Sequence, residues 1–276
     1  MTMTTTASPL DAAVDVLRGR RFAILTGAGI STDSGIPDYR GRGTPVRTPM
    51  SFQEFCASER FRKRYWAGSH LGWRRFHSAS PNPGHYAITD LETAGLAPGV
   101  ITQNVDDLHL RAGTRHVVDL HGSMHTVSCL SCRQTFAREA IAARLTEANP
   151  WLASDDVAEL SPDGDVAVDQ FDDMVVPACS LCGGILKPDV VFFGEFVPVD
   201  KFSAAKALAC SADALVVAGS SLVVNSGLRL VHLARSRRMP IIIINRGETK
   251  ADGRATVKIE SGTSEAITAL RDRLLA

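Results

Sequence analysis

Short apolar runs recur along the chain at residues 21–26, 99–102, 116–120, 189–193, 214–218 and 240–244. Each is bounded by glycine or polar residues and reads as a short strand buried on both faces. Helix-like stretches lie between several of them, notably at 200–210 and 228–237, and residues 264–275 read as a closing helix. The first helix is signalled by Ser8 as its cap, Pro9 at its first position, and Leu10, Ala13, Val14 and Leu17 along one face before Gly19. Strands alternating with helices predict an α/β fold with a mostly parallel sheet covered on both faces.

Two stretches break this rhythm. Residues 41–84 are rich in Arg, Trp, Phe and Ser and contain no convincing strand, while residues 122–187 hold four paired cysteines and a long acidic section. Both read as insertions that together make a smaller second domain. The sheet domain would then comprise 1–40, 85–121 and 188–276.

Chemistry gathers at the ends of the expected strands, where open α/β sheets bind ligands. Gly27-Ala28-Gly29-Ile30-Ser31 follows the first strand and suits a phosphate-binding turn. The dinucleotide fingerprint is incomplete, because Thr32 stands where a third glycine belongs and no acid occurs between Asp38 and Glu54. An ordinary strand-to-helix turn is the competing reading. Ser34-Gly35-Ile36-Pro37-Asp38-Tyr39-Arg40 then forms either a solvated loop or a lid over a nucleotide. Gln103, Asn104 and Asp106 offer amide and carboxylate groups after the second strand, with Asn104 equally suited to cap a helix. His121 ends the next strand beside Gly122, in reach of substrate as a general base or as a structural imidazole. Gly219-Ser220-Ser221 and Asn245-Arg246-Gly247 follow two later strands. Strand ends of this kind describe one ligand crevice.

Cys129, Cys132, Cys179 and Cys182 form two Cys-x-x-Cys knuckles. Four thiolates suit tetrahedral zinc with no open position, hence a structural ion, and the glycine-rich surroundings favour zinc over a redox dithiol or an iron–sulfur cluster. His125 is close enough in sequence to be an alternative ligand. Cys56 and Cys210 are expected to be buried thiols.

Composition narrows the classes further. The 276 residues carry 30 Lys+Arg and 30 Asp+Glu, which argues against a broadly basic nucleic-acid binder. The polar start carries no basic or apolar leader, and 214–228 is too short and too polar to span a bilayer, so a cytoplasmic protein without a membrane partner is expected. Zero net charge conceals two opposed blocks. Residues 40–75 hold nine basic groups against two acids, and residues 145–186 hold nine acids and no Lys or Arg. The first block would attract a dinucleotide or an acidic acyl group, and the second a basic peptide.

In order along nearly the whole chain, the Gly27–Ser31 turn, the Ser34–Arg40 loop, Gln103-Asn104-Val105-Asp106, His121-Gly122, the cysteine quartet, Gly219-Ser220-Ser221 and Asn245 resemble the motifs of the sirtuins, the NAD-dependent protein deacylases. The stretch from Arg64-Tyr65-Trp66 to His85 is most similar to the class II branch, which contains a mitochondrial lipoamidase and ADP-ribosyltransferase type. The resemblance implies a Rossmann-like doubly wound sheet with a smaller zinc module and a helical insertion. NAD and an acylated lysine would meet between them. It places Gly27, Ala28, Gly29, Ser31 and Thr32 toward the NAD phosphates, and Asp38, Tyr39 and Arg40 in a mobile cofactor loop. It places Gln103, Asn104 and Asp106 around the nicotinamide ribose and carboxamide. Gly219, Ser220, Ser221, Asn245, Arg246, Gly247 and Thr263 fall to the adenosine half.

By the same resemblance, the acyl oxygen attacks the ribose carbon as nicotinamide leaves, and His121 is the general base on a ribose hydroxyl. Val191, Phe192, Phe193, Gly194 and Glu195 on one side, and Leu222 and Val223 on the other, would flank a substrate peptide bound as an added strand. Their apolar character fits sheet core equally well. Tyr39 departs from the family's more usual Phe. Ser69 and Gly72 stand where sirtuins that prefer acidic acyl groups carry Tyr and Arg, although Arg74 and Arg75 are near. Lysine deacylation is the leading expectation, ahead of mono-ADP-ribosyl transfer, lipoamide cleavage, a non-catalytic NAD or acyl-lysine adaptor, and a nucleic-acid zinc ribbon.

Overall fold

The computed structural model describes residues 8–39, 49–152 and 160–276. Helix α1 (Pro9–Leu17) starts where Ser8 and Asp11 form a reciprocal capping box. Strand β1 (Phe22–Thr26) follows and runs into two 3-10 turns, Ala28–Ile30 and Thr32–Ser34. The middle of the chain supplies helices α2 (Phe52–Ala57), α3 (Glu59–Ser78) and α4 (Pro83–Thr93), strand β2 (Val100–Thr102), the short helix α5 (Leu108–Arg111) and strand β3 (Val117–Asp119). Next come β4 (Gly122–Cys129), β5 (Thr135–Ala137), α6 (Arg138–Ala148) and β6 (Leu186–Val190). The chain ends with α7 (Val199–Cys210), β7 (Ala214–Ala218), α8 (Asn225–Ser236), β8 (Ile241–Ile244), β9 (Val257–Ile259) and α9 (Thr263–Leu275).

Six strands form one parallel sheet in the order β3-β2-β1-β7-β8-β9. Renumbered within the sheet, this is the Rossmann order, whose direction of winding reverses between β1 and β7. The period of two along each strand divides the core. Phe22 and Ile24 of β1 face a cluster with Val14 and Leu17 of α1, Ile88 and Leu91 of α4, and Ile267 and Leu270 of α9. Ala23 and Leu25 face the opposite cluster, with Ala205 and Ala209 of α7 and Leu230 and Val231 of α8. Both faces are therefore covered, which is why these strands read as unbroken apolar runs.

A second, antiparallel sheet, β5-β4-β6, packs with α2, α3 and α6 over its own core. The guanidinium of Arg138 is fully buried there between Trp66 and Trp73, 5.1 and 5.0 Å from the two ring centres. Its Nη2 donates to the Ser69 carbonyl at 3.1 Å, and burial lowers its pKa to about 10.

Several expectations need correction. The run at 189–193 is not a strand of the parallel sheet. The strand there is Leu186–Val190, paired with β4, so it spans the boundary expected between 187 and 188. An apolar run does not report which sheet provides the partner, and here only Val190 and Phe192 are buried. Strand β9 was not anticipated, because Lys258 interrupts Val257 and Ile259 and leaves no continuous apolar run. Cys56 is exposed and Cys210 only half-buried, since both lie away from the packed faces of their helices. The two charge blocks do not stand apart. Arg60 Nε lies 3.1 Å from Asp172 Oδ1, and Lys63 Nζ donates to the Asp172 carbonyl. Arg74 and Arg75 point to solvent from α3. Among the described residues, no helix is long and apolar enough to cross a membrane.

Candidate active site

The turns after β1 and β7 meet at the point where the sheet's winding reverses. Gly29 N–H donates to the Gly219 carbonyl at 2.9 Å, and Gly219 has φ 69°. A Cβ on Gly27 would lie 2.8 Å from Gly219 O, and one on Gly29 would lie 2.8 Å from Gly219 Cα. These glycines are therefore required by close approach of two backbones, a reason independent of any phosphate. Because 3-10 turns replace a long helix after β1, the third fingerprint glycine has no role, and Thr32 Oγ1 instead donates to Gly29 O at 3.2 Å.

Above this junction opens a cleft of about 1630 Å³ between the two sheets' domains. An ordinary small-ligand site is about 300–1,000 Å³, so this one has room for two substrates. Its floor is Gly27, Ala28, Gly29 and Thr32 from the first turn and Gly219, Ser220 and Ser221 from the second. Asn245, Arg246, Gly247 and Thr263 line one end, and Asp38 and Tyr39 lie along the loop. Arg40 lies outside the described residues. Gln103, Asn104 and His121 project from the ends of β2 and β3.

Two expected residues are absent from the wall and stand behind it. Asp106 is 5% exposed, accepts from Ser31 Oγ at 2.6 Å and from Leu108 N–H at 3.0 Å, and burial raises its pKa. Asn104 Nδ2 donates to the same Ser31 Oγ at 3.0 Å. Ser31 and Asp106 thus hold the Asn104 amide in place. Asn104 does not cap α5, because Asp107 occupies that position with φ 56°.

His121 is half-buried in the wall of the cleft. Its Nδ1 lies 2.8 Å from the Gln103 carbonyl oxygen and its Nε2 lies 2.7 Å from Ser226 Oγ. A carbonyl oxygen only accepts, so Nδ1 carries the proton. Nε2 then holds a free lone pair, receives the Ser226 hydroxyl, and is the basic nitrogen. Burial pushes the His121 pKa below its ordinary value, opposed by the Gln103 carbonyl, so the ring is neutral and competent as a base near pH 7. Ser226, at the start of α8, was not anticipated, since nothing local marks a residue 105 positions from its partner. Glu248 and Glu260 also line the cleft without having been anticipated.

The two lips carry the expected peptide-flanking segments. Val191, Phe192, Phe193, Gly194 and Glu195 line one side and Leu222 and Val223 the other. Phe192 and Leu222 are buried in separate cores, whereas Phe193 is 44% exposed and Val223 half-buried. Val191 N–H donates to the His121 carbonyl at 2.8 Å, which joins this lip to the imidazole's own backbone. Tyr39 stands edge-on to Phe193 at 6.3 Å, so the loop touches the lip.

The cysteine quartet lies at the far end of β4. Cys129 and Cys182 sulfurs are 3.5 Å apart, those of Cys132 and Cys179 are 3.7 Å apart, and all four fall within 4.8 Å of one another. Zinc–sulfur bonds of about 2.3 Å in a tetrahedron put sulfurs about 3.8 Å apart, so the four fit zinc. The backbone amide of Cys132, helped by that of Ser131, lowers the Cys129 thiol to about 6. His125 is not a ligand of this set, because its ring turns toward Asp107 and Glu139.

The Sir2 family profile matches residues 27–226. The chain belongs to the Sir2 family. Full-length relatives agree with this assignment. This sirtuin is 50% identical over 265 residues to NAD-dependent protein deacetylase 1 of Mycobacterium avium (strain 104), covering 95% of this chain and 94% of that one. It is 44% identical over 254 residues to the mitochondrial NAD-dependent protein lipoamidase sirtuin-4 of Bos taurus, covering 89% and 80%. The solved structure described as Sir2 with a p53 peptide and NAD+ superposes with a TM-score of 0.76 at 31% identity, covering 95% of this sirtuin and 97% of that chain.

Proposed function

We propose that this sirtuin is an NAD-dependent protein lysine deacylase that releases nicotinamide and passes the acyl group to ADP-ribose. One observation carries the reading: His121 presents Nε2 as its basic nitrogen in a cleft whose floor is the paired glycine turns. NAD, when bound, supplies an electrophilic ribose carbon as its nicotinamide departs. Asn104, braced by Ser31 and Asp106, offers an amide dipole at the end of β2. Gln103 and Ser220 hydrogen-bond across the cleft at 3.1 Å and exchange that contact for the incoming ligand. His121 Nε2 takes the proton of a ribose hydroxyl, and the carbonyl of Gln103 stabilises the imidazolium that results. Exposed Phe193 and half-buried Val223, on opposite lips, receive the peptide between them as an added strand.

An acylated lysine of a protein is accordingly the partner, with neither nucleic acid nor membrane required. The paired cysteines, all free thiols, suit the reducing cytoplasm. Acidic acyl groups are disfavoured, because Arg74 and Arg75 face solvent and do not line the cleft. The kinship with a lipoamidase puts lipoyl-lysine beside acetyl-lysine as a substrate to test. Incubation with NAD and a panel of acetyl-, long-chain acyl- and lipoyl-lysine peptides should release nicotinamide only when both substrates are present. Silence across the panel would overturn the reading, and labelled ADP-ribose left on the protein target would redirect it to ADP-ribosyl transfer.

A further inference from the structure

Away from the cleft, three side chains from three elements converge without a role in the chemistry above. His77 comes from the last turn of α3, His125 from the middle of β4 and Glu139 from the first turn of α6. One donor atom from each lies within 4.8 Å of the other two. The rings lie against one another and against one tryptophan: Trp73 lies 5.0 Å from His77 and 5.1 Å from His125, and the two imidazoles are 5.3 Å apart, ring centre to ring centre.

The surroundings of His125 decide which nitrogen is available. Its Nδ1 faces Glu139 Oε1 at 3.9 Å, and its Nε2 stands 3.4 Å from Asp107 Oδ2. Ser123 Oγ donates to that same Asp107 oxygen at 2.9 Å and accepts the His125 backbone N–H at 3.1 Å. Asp107 Oδ1 and His125 Nε2 are both buried without a hydrogen-bond partner among the described residues. Asp107 Oδ2, 3.4 Å from Nε2 and not yet in hydrogen-bond geometry, accepts a hydrogen bond from Nε2 when the ring turns slightly, and the Nδ1 lone pair is then left on the side of Glu139. That is the carboxylate–histidine–metal arrangement, in which an outer carboxylate sets the tautomer of a ligating ring.

We propose that His77, His125 and Glu139 bind a second zinc ion, separate from the cysteine quartet, with Asp107 as the positioning carboxylate. Two imidazoles and a carboxylate suit a borderline cation and leave a fourth position to water. Zinc bonds of about 2.0–2.1 Å require donors about 3.3 Å apart, so the site must tighten on binding. It has the freedom to do so, because the Glu139 side chain is 55% exposed and His77 is at the surface. The ion is therefore exchangeable, unlike one enclosed by four thiolates. It clamps the end of α3 to β4 and α6, so it links the helical insertion to the strand that joins His121 to the zinc knuckle.

Metal content is the measurement. The full chain, with its quartet zinc in place, is equilibrated in zinc-buffered solutions of rising free zinc. A second equivalent should appear in the wild type and be lost in the H77Q/E139Q double variant, whose first equivalent and circular dichroism remain. Cobalt(II) added to the zinc-loaded wild type should give visible d–d bands without thiolate-to-metal charge transfer. In D107N, which keeps every ligand and tolerates φ 56°, affinity for the second ion should fall about 10- to 100-fold. A single equivalent in the wild type, a second retained by H77Q/E139Q, or thiolate charge transfer on cobalt addition would each overturn the site. Unchanged affinity in D107N would overturn the role given to Asp107.

Discussion

The hydrogen bond from His121 Nδ1 to the Gln103 carbonyl turns a histidine at a strand end into a base of known orientation. His121→Ala should reduce turnover at least about 100-fold, the lower end of what general-base catalysis contributes, while zinc content is retained. Ser226→Ala tests the other nitrogen. The hydroxyl donates to Nε2 only until a substrate hydroxyl displaces it, and a neutral hydrogen bond is worth about 0.5–1.5 kcal/mol net. Steady-state kinetics should therefore show a change of about two- to tenfold, mainly in KM. A loss as large as that of His121→Ala would place Ser226 in the proton transfer itself. At this scale His121 was legible from its place beside Gly122, because strand ends collect ligand chemistry. Ser226 was not, because the pairing exists only after α8, packed on β7 and β8, brings its first turn to the end of β3.

Element by element, glycine spacing was readable and its reason was not. Gly27 and Gly29 suit a phosphate turn by sequence, yet in the fold they admit the turn after β7. Gly29→Ala would bring a methyl group to 2.8 Å from Gly219 Cα, where backbone cannot yield as a side chain would. Overpacking of this kind costs about 1–3 kcal/mol, and the two turns must separate at the floor of the cleft. A lower midpoint in urea together with weakened NAD binding by calorimetry is expected, and full retention of both would contradict the packing argument. The five expected strands at β1, β2, β3, β7 and β8 came within a residue of their observed positions. Their apolar runs are continuous because both faces are covered. The run at 189–193 misled because its apolar residues serve different surroundings: Val190 and Phe192 join the small-domain core, while Phe193 is exposed on the lip of the cleft.

For the whole molecule, buried titratable groups set an acid limit. Burial holds His70 and His85 at about 4, His109 well below its ordinary value, and His121 below it as well. Each is neutral in the folded state, and its unfolded counterpart takes up a proton once pH falls below about 6.5. Stability is therefore lost as pH falls from about 6.5 toward about 4. Asp119, raised to about 6 by burial, and Asp106, raised in the same way, act in the opposite sense between their unfolded and folded values. Four imidazoles outweigh two carboxylates, so the net slope is positive. Urea midpoints should fall between pH 7 and pH 5 with net proton uptake on unfolding, and a flat profile would refute this balance.

From sequence alone, local rules determined the alternation of strands and helices, the cap of α1, the cysteine quartet and the ordered motifs that mark the family. Each of these depends on neighbours within a few residues or on spacing along the chain. Tertiary structure decided the rest: that 186–190 joins the small sheet, that Arg138 is sandwiched between two tryptophans, and that Asp106 stands behind Asn104 and not on the wall. It also decided that His125 turns away from the cysteines and toward His77 and Glu139. Those outcomes depend on contacts between distant residues, where the direction of a side chain is set by packing and leaves no periodic trace in the sequence.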